Sequence, residues 1–438
     1  MARWRWWRRR TAPRPSPSIP PRHGRSAPDR ALQRARRPAC PRLSGRRDPV
    51  SLVDEHNMAD LPLLELGADP RERGRIHGAT LAGAIRDNVA TYLARFEAAG
   101  ATRATILEQS EAWLAFIVAD NGEYGEEMGA IAAASGLSAT EIAMLNARYE
   151  ITYLAFGTEA KAANGRLEQE GCTSFGMLPE ATADGHTMLA QNWDWLANVR
   201  GRTFVQRVRR ASRPEDGKPD FVGFSEAGIV GSKMGVNAAG IGLCVNGLVT
   251  PRDGTTGMRK PFHVRCKEIL DAWRFDQALA PVVETDRTAS SNFLIGHSDG
   301  EILDIEATPE HCAYLSPADG LVVHANHLVK ETRTVSQMER IAPNTLYRGP
   351  RAERLLRRHL GRIDRPALEE VMRDHFSAPA AICRHADPLL RPEKRVITVA
   401  AIVLDLDERI LYATDGPPCE APFQAFPLDT DERRCDDA

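Results

Sequence analysis

The sequence predicts an α+β layered protein. Two observations carry that prediction. Residues 61–157 place apolar side chains at helical spacing, and beyond Cys172 the chain breaks into short β-prone runs separated by turn residues. Only two helical stretches interrupt those runs, near 262–283 and 350–375, which departs from the strict alternation of a parallel βαβ sheet. The sequence contains no internal repeat.

The elements follow in order. Leu81, Ile85, Val89, Leu93 and Phe96 share one face of a helix over 70–99, and Gly100 stands where a helix C-terminal glycine belongs. A second helix is expected over 104–118. A third opens at Ser138, with Glu141 in the capping-box position, and continues through Ile142, Leu145 and Tyr149. Strands are expected over 186–191, 203–208, 221–224 and 241–245. Further strands are expected over 292–295, 301–305, 321–324, 396–404 and 410–413, with Asp299-Gly300 and Asp319-Gly320 as turns.

Charge is unevenly spread. Residues 1–57 hold 15 Arg against four acids, a net of +11, which leaves −13 for the remainder of a chain whose total is −2. This segment is rich in Arg and Pro and poor in aliphatics, so it cannot bury a core and is expected to be a disordered extension. Its arginines precede no apolar stretch of the kind a secretory signal requires. Trp4, Trp6 and Trp7 among the arginines leave a second reading open, a nucleic-acid or membrane-binding arm. The acidic body argues against nucleic acid as the main partner, and no apolar run has the length of a membrane span.

Eight cysteines are spread along the chain with no C-x-x-C pair, which argues against a zinc ribbon or a thioredoxin-type site, and their wide spacing argues against a disulfide scaffold. A reducing, cytoplasmic setting is expected. One cysteine stands apart. The stretch NGRLEQEGCTSFG at 164–176 is polar up to Gly171-Cys172 and then turns β-prone. A thiol nucleophile needs a base. If the Gly171–Cys172 bond is cut, Cys172 gains an α-amine of pKa ~8, close to its own sulfur and partly neutral at neutral pH. A glycine before the cysteine leaves room for attack on the preceding carbonyl. Taken alone, such a cysteine is more often a small buried hydrophobe. Downstream, HTMLAQNWDW at 186–195 sets Asp194 between two tryptophans, where a carboxylate needs a partner.

GCTSFG followed by AQNWDW resembles the acyl-coenzyme A:6-aminopenicillanic acid acyltransferase family, the peptidase C45 group of self-processing N-terminal-nucleophile hydrolases. ELGADPRERGRIHG at 65–78, MGVNAAGIGLCVNGL at 234–248, LVVHANHL at 321–328 and TVAAIVLDLDERILYATDGPPC at 398–419 look like further family segments, so the resemblance spans about 61–425. It implies a four-layer αββα sandwich. It also implies cleavage at Gly171–Cys172 into a helical α chain or pro-segment, 58–171, and a β chain, 172–438, that remain associated. Cys172 would be the nucleophile and Asp194 would position it. Asn246 and Asn326 would lie near the oxyanion, and Arg348 would be the site arginine, with Arg351 as runner-up. Relatives among the bile-salt hydrolases carry an arginine three before the aspartate, where this chain has Gln191.

The implied reaction passes an acyl group through a Cys172 thioester to an amine or to water. The substrate would be a small acyl amide or acyl thioester, with a coenzyme A thioester as one acyl donor and no bound cofactor. No metal is expected. His324 and His327 lack a third ligand and read as strand-end histidines. GFSEAG at 223–228 misses the G-x-S-x-G spacing, and no phosphate-loop or dinucleotide fingerprint occurs in context. A rival reading is an unprocessed cysteine hydrolase with a histidine base.

Overall fold

Strands and helices follow one another from Leu63. The computed structural model describes residues 60–152, 171–211 and 213–429, and all of them lie in one compact unit, so the expectation for 1–57 falls outside the described residues. Strand β1 (Leu63–Leu66) comes first. Then come helices α1 (Pro70–Thr80), α2 (Ala82–Ala98), α3 (Arg103–Asp120), α4 (Gly122–Ser135) and α5 (Ala139–Asn146). Asp69 caps α1 through its side chain and Pro70 occupies its first turn, as helix starts favour. The helix expected over 70–99 breaks in two at Leu81, whose backbone leaves helical geometry. The capping box of Ser138 and Glu141 forms as expected.

Helix α4 went unforeseen because Gly125 and Glu127 interrupt its buried face and Gly122 and Gly129 lower its helix propensity. The glycines that let it pack closely lie on α1. A Cβ on Gly74 would stand 2.4 Å from the Glu127 carbonyl oxygen, and one on Gly78 would stand 2.6 Å from that of Ile131. The two backbones therefore touch. The buried Arg73 guanidinium ties them further, 2.7 Å from both Glu123 and Glu127.

The strands that follow are β2 (Gly171–Met177), β3 (Met188–Leu196), β4 (Thr203–Val208), β5 (Phe221–Glu226), β6 (Met234–Asn237) and β7 (Ile241–Gly247). Helices α6 (Phe262–Leu270) and α7 (Phe275–Val283) come next, then β8 (Ser291–His297), β9 (Glu301–Ala307), β10 (Cys312–Leu315) and β11 (Leu321–His324). The chain continues through α8 (Met338–Ile341), α9 (Thr345–Leu356), α10 (Arg365–Met372), β12 (Val396–Asp405), β13 (Ile410–Ala413) and β14 (Gln424–Pro427).

Two sheets result, in the orders β1-β4-β5-β6-β7-β8-β9-β10 and β11-β2-β3-β12-β13-β14. Pairing is antiparallel throughout, except that β1 runs parallel to β4. The region ahead of Cys172 is thus not purely helical, since β1 forms an edge of the larger sheet. The inner faces meet over a core that includes Leu189, Leu294, Ile302, Ile402 and Leu406. Helices α6 and α7 cover the outer face of the larger sheet, with Phe262, Cys266 and Ile269 against Phe293 and Ile295. Helices α9 and α10 cover the smaller sheet, with Ala352, Leu356 and Leu368 against Phe175 and Ala401. This is the αββα sandwich that was expected. With both faces covered, β3 and β12 are buried along their whole lengths, so neither shows polar alternation. Helices α2–α5 close the end of the sandwich near residues 226–230. There Tyr92 donates to Glu226, Asn88 to the Ala227 carbonyl and Asn146 to the Gly228 carbonyl.

Candidate active site

Strand register builds the site. In the antiparallel β2–β3 pair, Gly171 faces Asp194 and Cys172 faces Trp193. Opposed residues share a face, and successive residues alternate. Cys172, Trp193 and Trp195 therefore turn inward, towards the larger sheet, and Asp194 turns away from both tryptophans. The aromatic neighbours that made Asp194 conspicuous in sequence are not its environment. On its own face, Thr398 of β12 donates to Asp194 Oδ1 at 2.7 Å, and the Arg384 guanidinium stands 3.7 Å from Oδ2. Among the described residues no hydrogen bond reaches Asp194 Oδ2. A Cβ on Gly171 would lie 2.7 Å from that oxygen, so only glycine fits before the cysteine. Burial raises the Asp194 carboxyl to about 6, against the pull of Arg384, Arg348 and Thr398.

The Cys172 main chain is held at both ends. Strand β11 pairs with β2 so that His324 faces Ser174, and the extended chain beyond it runs past Cys172. Asn326 arrives there, and its Oδ1 accepts the Cys172 amide N–H at 2.8 Å. Arg348, fully buried on α9, donates to the Cys172 carbonyl at 2.5 Å, to Thr173 Oγ1 at 2.8 Å and to Asn326 Oδ1 at 2.6 Å. Two donors converge on that Asn326 atom, which settles it as the oxygen. Arg351 turns elsewhere and pairs with Asp374 at 2.6 Å. Thr345 braces Asn326, accepting its amide N–H at 2.8 Å.

Asn326 Nδ2 donates to the Gly247 carbonyl, and Asn246 Nδ2 donates to the carbonyls of His324 and Ala325. Both asparagines cross-brace the ends of β7 and β11 beside Cys172, and their amide donors are engaged there. Gln191, two residues before Trp193, also points inward. It donates to the Val245 carbonyl and accepts the Val245 amide at 2.9 Å, linking the two sheets. Burial and the Asp194 carboxylate push the Cys172 thiol up to about 11, opposed by Arg348, the Asp194 amide and the Gln191 side chain.

Beside the thiol lies a small cavity of about 20 Å³, lined by Trp193, Lys233, Tyr149, Asn246 and Phe262. Lys233 is buried, with Nζ 2.7 Å from Glu226 and 3.0 Å from the centre of the Trp193 ring. Glu226 also binds Arg148 at 2.5 Å. Burial lowers the Lys233 ammonium to about 8 although Glu226 opposes the shift. Among the described residues no histidine hydrogen-bonds Cys172. His324 is locked between Glu306 and its neighbour's carbonyl, at 2.9 Å each.

Sequence reasoning missed Lys233, Arg384 and Thr398. Lys233 had a signal: it is the one charge in the otherwise uncharged run AGIVGSKMGVNAAG. Arg384 had none, because it comes from a loop far along the chain.

Comparison with known proteins places this chain among the acyltransferases and amide hydrolases. The model of the acyl-coenzyme A:6-aminopenicillanic acid acyl-transferase family matches residues 181–418, and the chain belongs to that family. The matched stretch contains Asp194, Asn246, Asn326 and Arg348 and begins after Cys172. Over 264 residues the chain is 27% identical to the acyl-coenzyme A:6-aminopenicillanic-acid-acyltransferase 40 kDa form of Emericella nidulans, spanning 60% of this chain and 67% of the relative. Among solved structures, an N-acylethanolamine-hydrolyzing acid amidase ortholog from Caenorhabditis elegans aligns at 12% identity and TM-score 0.38, over 54% of this chain and 93% of that one. Penicillin V acylase from Agrobacterium tumefaciens aligns at 15% and 0.39, over 56% and 83%.

Proposed function

We propose that the chain cuts itself between Gly171 and Cys172 and then transfers acyl groups through Cys172. The observation that carries this reading is the clamp on Cys172, with Asn326 on its amide and Arg348 on both its carbonyl and Asn326. A buried structural cysteine has no use for a charged clamp on its main chain.

In self-cleavage, Cys172 Sγ attacks the Gly171 carbonyl carbon. The C–N bond breaks, the nitrogen takes the thiol proton, and Gly171 is left as a thioester on sulfur. Water then releases the Gly171 carboxylate and restores the thiol. The new α-amine stays on Asn326 Oδ1, and Asp194 Oδ2, which accepts no hydrogen bond among the described residues although the Arg384 guanidinium stands 3.7 Å away, is a further acceptor for it. With a pKa ~8 it serves as the base that the uncut chain lacks. In turnover, an acyl amide or acyl thioester, a coenzyme A thioester among them, acylates Sγ, and an amine or water removes the acyl group. The cavity sets the ammonium of Lys233 near the thiol, which suits an amide substrate carrying a carboxylate.

The experiment is acyl-enzyme trapping. The mature protein is mixed with short acyl thioesters and N-acyl amino acids, quenched in acid and weighed intact. The chain starting at Cys172 is expected to gain one acyl mass that hydroxylamine removes. An adduct on another residue, or none with a substrate that is turned over, overturns the reading.

A further inference from the structure

His375, Cys383, His385 and Cys419 bring one ligand atom each within 4.8 Å of one another. The two imidazole Nε2 atoms are 3.0 Å apart, and the two sulfurs are 3.5 Å apart. His385 Nε2 lies 3.7 Å from Cys383 Sγ and 3.3 Å from Cys419 Sγ. Bonds of ~2.0–2.1 Å to nitrogen and ~2.3 Å to sulfur make a zinc tetrahedron with edges of about 3.3–3.8 Å. The four separations lie at or close to that range. His385 Nδ1 faces Glu420 at 3.2 Å, which leaves Nε2 turned to the common point, as second-sphere carboxylates do for metal-bound histidines.

We infer that these side chains form a tetrahedral Cys₂His₂ site for a zinc ion, a site distinct from the cleft at Cys172. Two sulfurs with two imidazole nitrogens in tetrahedral array select zinc over harder cations. A Cys383–Cys419 disulfide is the competing explanation. It would need the sulfurs at ~2.05 Å and gives the two imidazoles no reason to converge. The spacing, His-x₇-Cys-x-His with the last cysteine beyond β13, matches no short zinc signature, so the sequence gives no sign of it.

The ion would join two loops, 373–395 and 414–420. Arg384 sits between two of the ligands, and its backbone is bonded to Thr398 in both directions, at 2.9 and 3.0 Å. The ion would thereby hold in place the loop that brings the Arg384 guanidinium to Asp194. Its role is positioning.

The test reads metal, not turnover, so it stands whether or not the chain cuts itself. Full-length protein and the Cys172→Ala variant are purified without chelator and under reducing conditions, and metal is counted by mass spectrometry of the elements. One zinc per chain is expected in both. Cys419→Ser and His375→Ala should each retain less than about a tenth of that zinc after brief exposure to a chelator that leaves the parent loaded. Cobalt exchange into the parent, which needs no variant, should give the intense visible bands of a tetrahedral thiolate site. Substoichiometric zinc in the reduced parent with no cobalt spectrum, or a Cys383–Cys419 disulfide in a non-reducing peptide map of protein kept under reductant, overturns the site. So does zinc that both ligand variants retain.

Discussion

Asp194→Asn should stabilise the uncut protein even as it abolishes cleavage. The perturbation belongs in a Cys172→Ala background, where no new α-amine forms. Asp194 is completely buried, and burial raises its carboxyl from 3.8 to about 6. A carboxyl with a raised folded pKa costs stability when charged. The cost is fully present above about 6 and vanishes as pH falls below the unfolded value of 3.8. That gap corresponds to ~3 kcal/mol at neutral pH. Asparagine is the shape of the neutral acid, and its oxygen can still accept from Thr398. Urea unfolding at pH 7.5 should therefore find the variant more stable by ~3 kcal/mol, with the gain shrinking through pH 6 to 4 and gone below that. A variant less stable at pH 7.5, or a difference that does not change with pH, refutes the reasoning.

Three further outcomes are expected. Gly171→Ala puts a methyl 2.7 Å from Asp194 Oδ2 and 3.3 Å from the Arg384 guanidinium, so the scissile carbonyl must shift. A displacement on the order of 1 Å slows chemistry ~100-fold, and a time course of chain separation on gels would read it. Arg348→Met leaves the Cys172 carbonyl and Asn326 Oδ1 each short of a buried donor, at a cost of ~3 kcal/mol or more in urea unfolding. Arg348→Lys should fail to restore cleavage, because one ammonium cannot span the positions the guanidinium fork occupies. Lys233→Met should raise KM for carboxylate-bearing amides ~10–100-fold relative to neutral analogues, and in the parent that preference should fade as pH rises through about 8 and the ammonium discharges.

Much of the fold was legible because it rests on local pattern. Strands β4, β11 and β13 span the same residues as the β-prone runs that predict them, and the capping box at Ser138 marks the start of α5. Helix α4 was hidden by its own glycines and by a packing contact that depends on Gly74 and Gly78 of α1, and β1 by its dependence on β4, which lies far along the chain. At the site, Cys172 and Asp194 could be named from the motifs, but not how they face. Alternation along β3 turns Asp194 from the tryptophans to Thr398 and Arg384; the pairing of β3 with β12 reveals Thr398, and the loop bonded to Thr398 brings Arg384. Arg348 and Arg351 were hard to separate in sequence because one helical turn carries both. Burial separates them, since Arg348 is enclosed and Arg351 faces Asp374 near the surface.

The central claim is that Cys172 becomes the first residue of a working chain. Intact mass with N-terminal sequencing of the purified protein, beside Cys172→Ala, tests it most directly. The account predicts two chains from the parent, the larger reading Cys-Thr-Ser-Phe from residue 172, and one unbroken chain from the alanine variant. A parent that stays whole while it turns over an acyl amide would contradict the account.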